Sequence, residues 1–260
     1  MSPKAMSYIN DWLDDLRIAA GLLTRIPVPH PEAAHPGDLA RAERAFPLIG
    51  AAVGALVGLV YLLLLATGIP ALAAAALALG ASALATGGFH EDGLADLADG
   101  FGGGRDRAAK LEIMRDSRLG TYGALILLVS FSAKMAALAA LPRSAAIPGL
   151  IATHALARGP LPLVAMIMPN ARSDGLATAA GRVEPFVATT AAVLALIIAL
   201  VCLPPMAALM AAAATGLGAA AVAVLAKRQI GGITGDVLGA AEQVGETAVL
   251  LVLAARLASP

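Results

Sequence analysis

His90-Glu91-Asp92-Gly93-Leu94-Ala95-Asp96-Leu97-Ala98-Asp99-Gly100 places four carboxylates within nine residues of a chain that is 59% hydrophobic and only 14% charged. At roughly 100° per residue, a helix here sets Asp92, Asp96 and Asp99 within about 60° of one another. Leu94, Leu97 and Phe101 fall about 140–200° away from Asp92 on the same wheel, so an acidic stripe opposes an apolar one. Three carboxylates on one face repel each other unless protons or a cation compensate. Oxygen donors with no nearby cysteine, and His90 at the edge, suit a hard cation. Mg²⁺ fits best, because proteins commonly hold it with one or two carboxylates together with substrate phosphates. The bland alternative is a solvated helix with acids on its wet side.

Outside this segment the chain reads as lipid-solvated. A soluble domain carries about 25% charged residues, and the mean hydropathy here is +0.81. The formal net charge is zero, which argues against a nucleic-acid partner. One cysteine, Cys202, supports neither an internal disulfide nor a thiolate metal site. No signal peptide is expected at the N-terminus, since the first ten residues lack an apolar core. Residues 8–24 are expected to form an amphipathic helix too charged to span, lying at the membrane interface with Trp12 as an anchor. An extended, proline-stiffened segment follows at 24–31. Apolar runs at 46–68, 70–88, 119–141, 145–168, 185–203, 206–226 and 244–258 are each near the length of about 20 residues that crosses the hydrocarbon. The expectation is an all-α, polytopic membrane bundle of seven transmembrane helices, with six as the lower count. It forms a single domain over 1–260, with 1–45 and 89–118 outside the bilayer. Alanine-rich stretches at 71–85 and 207–223 permit close packing in lipid.

Charge gives the orientation. With the N-terminus in the cytoplasm, segments 1–45, 89–118, 169–184 and 227–243 hold 5, 5, 2 and 2 Lys/Arg, against Arg143 and Arg256 on the other side. The acids fall on that cytoplasmic side too. Gly102-Gly103-Gly104-Arg105-Asp106-Arg107 continues the acidic segment, followed by Glu112, Arg115, Asp116 and Arg118. Glycine-rich backbone and basic side chains suit phosphate oxygens; a flexible hinge and the ordinary positive-inside bias explain them equally. Lys134, His154 and Arg158 lie inside spans, where ionisable groups are costly. Arg158 precedes Gly159-Pro160, which is expected to unwind the helix and aim the guanidinium into a cavity as a substrate contact, with Glu246 as its alternative partner. Lys134 is expected to snorkel. Asp236, between glycine-rich turns, and Glu242 face the same compartment; Asn170, Arg172 and Asp174 share that side and rank behind them.

The segment from Gly87-Gly88-Phe89-His90-Glu91-Asp92 to Gly100, with Leu111-Glu112-Ile113-Met114-Arg115-Asp116-Ser117-Arg118-Leu119-Gly120-Thr121-Tyr122-Gly123, resembles the signature of the cobalamin synthase (adenosylcobinamide-GDP ribazoletransferase) family. Leu22-Leu23-Thr24-Arg25-Ile26-Pro27-Val28-Pro29, Phe46-Pro47-Leu48-Ile49-Gly50 and Gly231-Gly232-Ile233-Thr234-Gly235-Asp236 resemble its other conserved regions in the right order. Phe89 departs from the family's usual Leu, an apolar exchange. The resemblance implies an inner-membrane, Mg²⁺-dependent enzyme that joins adenosylcobinamide-GDP to α-ribazole or α-ribazole 5′-phosphate and releases GMP, its active site facing the cytoplasm. Asp92, Asp96 and Asp99 are then expected to hold Mg²⁺, with Glu91 or Asp116 as an additional ligand or the general base, and His90 as a base or a capping, structural group. Arg105, Arg115, Arg118, Arg158 and Asp236 are the expected substrate contacts. Membrane lipid is the other expected partner, and a homo-oligomer is left open. Two rivals stand beside this reading: a cation-coupled transporter, and a CDP-alcohol-type phosphotransferase of phospholipid synthesis.

Overall fold

The computed structural model describes residues 3–29 and 37–257; His30 and Pro31, at the end of the expected proline-stiffened segment, lie outside the described residues. Among the described residues the chain is helical throughout, with one isolated parallel bridge, Asn170 to Ile233. The helices in order are α1 (Pro3–Leu23), α2 (Asp38–Ala42), α3 (Phe46–Ala66), α4 (Ala71–Thr86), α5 (Phe89–Gly103), α6 (Arg107–Ile113), α7 (Thr121–Ala140), α8 (Arg143–Arg158), α9 (Leu161–Ile167), α10 (Leu176–Ala180), α11 (Pro185–Cys202), α12 (Pro205–Ile230) and α13 (Gly235–Leu257). A 3-10 turn, Glu43–Ala45, leads α2 into α3.

Among the described residues six segments are long and apolar enough to cross a membrane: Asp38–Ala66, α7, Arg143–Ile167, α11, α12 and α13. Every backbone polar group in hydrocarbon needs an internal partner, which helices supply. The outward surface is correspondingly apolar, with Leu84, Val201 and Leu217 between 72% and 81% exposed. The expected seventh span is where the counts part. α4 has 16 residues, and it qualifies only jointly with α5, across a 93° bend. Gly87 and Gly88 make that corner at φ 74° and 68°, a left-handed backbone that costs glycine little. The acidic segment is thereby turned off the axis of α4 and laid against α7 and α13.

The last span differs from expectation in a second way. It begins at Gly235, nine residues before the predicted 244, and carries Glu242 and Glu246 inside the bundle, at 0% and 3% exposure.

Gly50, Gly54 and Gly58 repeat at four-residue spacing along α3 and face α8. A Cβ built on Gly50 or Gly54 would overlap the carbonyl of His154 or Leu150, and one on Gly58 would stand 2.9 Å from Ile147 Cα. This is small-residue packing with backbones in contact, in which dispersion replaces the hydrophobic effect that lipid cannot supply. Gly54→Leu is therefore expected to lower stability by about 1–3 kcal/mol, read as a reduced unfolding midpoint in detergent, whereas lipid-facing Leu63→Ala leaves it unchanged.

α1 is amphipathic, as expected, but Trp12 has a protein partner. Arg44 stacks over its ring at 4.2 Å and also bonds Asp15 at 2.5 Å, while Arg41 reaches the other Asp15 oxygen at 2.9 Å. Asp15 is fully buried, so these charges clamp α1 to the entry of α3.

Candidate active site

The acids of α5 meet α13 because both helices are glycine at the crossing. A Cβ on Gly93 would lie 3.0 Å from Asp236 Cα, and one on Gly239 would lie 3.3 Å from His90 Cα. Asp236, at the start of α13, thus joins Asp92 and Asp96. Its carboxylate accepts from Thr234 Oγ1 at 3.0 Å and Arg172 Nη2 at 3.4 Å. α5 lies outside the six spans, and there Asp96 is lifted from 3.8 to about 7. Burial is the leading cause, followed by the like charges of Asp92, Asp236 and Asp99. Glu91 adds a buried Oε2 with no hydrogen-bond partner among the described residues. Mutual repulsion and an orphaned carboxylate oxygen are what a hard divalent cation relieves, and the all-oxygen donor set suits one, although no three of these acids bring ligand oxygens within 4.8 Å of one another in this arrangement.

Asp99 belongs to the same stripe but is placed differently. Its two oxygens accept the amides of Gly120 at 2.8 Å and Gly123 at 2.9 Å. A Cβ on either glycine would overlap the carboxylate. Asp99 therefore caps the N-terminus of α7 and fastens α5 to it; the expected metal ligand is committed to two backbone donors.

Below the acids lies a buried network that spans four helices. Arg158 Nη1 stands 2.7 Å from Glu242 Oε1 and 3.3 Å from Glu246 Oε1. His154 Nδ1 is 2.6 Å from Glu246. Lys134 Nζ donates to Gln243 at 2.7 Å and to Glu246 at 3.2 Å. His90 Nδ1 sits 3.8 Å from Glu242, and Gln243 Nε2 donates to Glu242 at 3.0 Å. Burial, then the Arg158 charge, hold His90 well below the ordinary imidazole range, so it stands neutral at the boundary between network and acids. The expected pairing of Arg158 with Glu246 is present. Its expected place in a cavity is not: Arg158 is 1% exposed and turned into the bundle. Lys134, equally buried, does not snorkel, because two partners hold its ammonium inside. His154, Glu242 and Glu246 have ligand atoms within 4.8 Å of one another, close enough for a metal, but Arg158 Nη1 already lies among them. Two cations face two carboxylates there, and the network is neutral without an ion.

The remaining expected residues separate. Asp116 is paired with Arg118 through both oxygens, a contact that lowers the Asp116 carboxyl below its usual range. Arg115 grips both oxygens of Asp174 at 2.6 and 2.7 Å. Arg105 is exposed. Arg107, part of the basic stretch read as suiting phosphate, instead ties α6 to the bundle by donating to the carbonyls of Ile230 at 2.7 Å and Ala171 at 2.5 Å. A cavity of about 580 Å³ opens where the α9–α10 connection meets the start of α13, lined by Pro169, Asn170, Thr178, Arg182, Ile233 and Leu238 among others, within the size range of small-molecule sites; none of the α5 acids lines it.

The family described as cobalamin-5-phosphate synthase matches residues 15–254. The chain is similar to the adenosylcobinamide-GDP ribazoletransferase of Bradyrhizobium diazoefficiens, 45% identical over 248 residues and 95% of both chains. It is also similar to the proteins of the same name from Sinorhizobium medicae, at 43% over 96% of this chain and 99% of that one, and from Mesorhizobium japonicum, at 44% over 95% of each. No solved structure matches it.

Proposed function

The chain belongs to the cobalamin-5-phosphate synthase family, and from that premise we propose that it is a membrane-bound, Mg²⁺-dependent transferase joining adenosylcobinamide-GDP to α-ribazole or α-ribazole 5′-phosphate. The ribose 3′-hydroxyl attacks the phosphorus nearest cobinamide, the bond from that phosphorus to the bridging oxygen breaks, and GMP leaves. The observation that carries the reading is the meeting of Asp92, Asp96 and Asp236 at the α5–α13 crossing. Mg²⁺ held by these three carboxylates would neutralise charge on the diphosphate. Glu91, with an oxygen left unpaired by the protein, is the acid best placed to take the hydroxyl's proton. Neutral His90 lies beside it and Asp99 holds the helix that carries both. The cavity between the α9–α10 connection and the start of α13 would give the acceptor base or nucleotide room. The Lys/Arg bias of the connecting segments supports a cytoplasmic position for this end of the bundle, and an inner membrane is part of the same reading. The transporter alternative would need an ion site within the spans, and there the one three-donor cluster among the described residues is filled by Arg158.

The test is GMP release from adenosylcobinamide-GDP and α-ribazole 5′-phosphate by the purified protein in lipid. Release with Mg²⁺ that stops in EDTA is expected; folded protein that releases no GMP with both substrates and Mg²⁺ present would overturn the reading. CMP from a CDP-alcohol substrate would instead favour the phospholipid reading.

A further inference from the structure

Among the described residues one guanidinium enters the acid cluster from outside α5 and α13, and it is none of the arginines expected to bind substrate. Arg172 lies in the connection between α9 and α10. It uses Nη2 for a long contact to Asp236, 3.4 Å, while its Nη1 is buried with no hydrogen-bond partner. The backbone beneath it is fixed. Ala171 N–H donates to the Ile233 carbonyl and Ile233 N–H to the Pro169 carbonyl, both at 2.8 Å. Arg107 holds the Ala171 carbonyl at 2.5 Å, and Thr178 Oγ1 donates to the Arg172 carbonyl at 3.0 Å. A Cβ at Gly232 would overlap the Pro169 carbonyl, so the two strands of chain touch. This bracing holds one side chain at the edge of the acids, and Asn170 and Thr178 of the same connection line the cavity described above.

A buried guanidinium nitrogen without an acceptor is costly, and a guanidinium fork matches two oxygens of a phosphate. An arginine set against a carboxylate cluster that suits a cation is the arrangement that clamps a diphosphate from two sides. Resting on the transferase reading above, we infer that Arg172 is a catalytic residue: its guanidinium binds non-bridging oxygens of the donor's diphosphate and offsets the charge that grows on the leaving nucleotide. The competing explanation is that Arg172 only holds Asp236 in place.

The experiment uses the full chain in lipid nanodiscs with Mg²⁺ and GDP as the diphosphate probe. Arg172→Ala is expected to weaken GDP binding at least about 10-fold and to lower kcat for GMP release about 100-fold. Added guanidinium ion should restore part of that kcat, which loss of a structural contact alone would not allow. GDP affinity equal to wild type, or lost turnover that guanidinium leaves untouched, overturns the proposal. If Arg172→Ala is too unstable to purify, Arg172→Lys decides. It keeps the charge and the reach to Asp236 but not the fork, so about a 10-fold loss of GDP affinity supports the inference and wild-type affinity overturns it. A wild type that releases no GMP would sink the transferase reading, and the GDP titrations would still judge Arg172.

Discussion

Glu246→Leu is expected to cost about 3–5 kcal/mol, enough to leave little folded protein in the membrane fraction. Glu246 receives His154 at 2.6 Å, Lys134 at 3.2 Å and Arg158 at 3.3 Å, at 3% exposure. Without it, Lys134 and Arg158 face Glu242 alone, and one positive charge is left over between α7, α8 and α13. The packing change is small, since leucine fills much of the same space. The charge change is not, because nothing inside a helical bundle replaces the lost hydration. Glu246→Gln keeps one acceptor oxygen but loses the other and the charge, so it should lie between Leu and wild type. The decisive comparison is the double variant Lys134→Met with Glu246→Leu, which removes one charge of each sign and should recover about 2 kcal/mol relative to Glu246→Leu alone. Unfolding midpoints in detergent measure all four proteins. A Glu246→Leu protein as stable as wild type would show that the network is not what joins these helices.

That network also explains where sequence reading stops. Hydropathy finds a span by scoring each charge singly, so Asp236 and Glu242 keep the expected start of the last helix at 244 although Glu246 lies within it. The cost of Glu242 and Glu246 is cancelled pairwise by Lys134 and Arg158 from other helices, which no window along the chain can see, and α13 begins at Gly235. The pairing of Arg158 with Glu246 is legible because two unmatched charges in lipid demand each other; the groups that keep Lys134 inside, Gln243 and Glu246, come from α13 and are out of reach of any reading of its own span. Helical spacing likewise gave the acidic stripe and its outward face. It gave no view of what approaches that face, and so could not separate Asp99, met by two glycine amides, from Asp92 and Asp96. Gly50, Gly54 and Gly58 carried a legible spacing that was passed over in favour of alanine content. Arg172 sits in an aperiodic connection, where only the bracing by Ile233, Arg107 and Thr178 gives it a fixed place.

Asp96→Asn and Asp99→Asn should therefore fail in opposite ways, although the two residues share one helix face. Asp96 is held at about 7 by burial and by its acidic neighbours. The folded protein keeps a proton there that the unfolded chain releases, so this carboxyl penalises folding increasingly as pH rises from about 4 through 7. Asparagine removes that penalty. In EDTA above pH 7, Asp96→Asn should unfold at the wild-type temperature or higher, yet with Mg²⁺ its GMP release should fall at least about 100-fold. Asp99→Asn offers one carbonyl oxygen and an NH₂ to two amide donors, so one of Gly120 and Gly123 loses its acceptor, at about 1–3 kcal/mol. Its unfolding midpoint should drop in EDTA and in Mg²⁺ alike, while turnover per folded molecule below that midpoint stays within a few-fold of wild type. A stable Asp99→Asn protein without turnover would instead put Asp99 on the cation, with the amides as its secondary contacts, and return the site to the three-acid stripe that helical spacing describes.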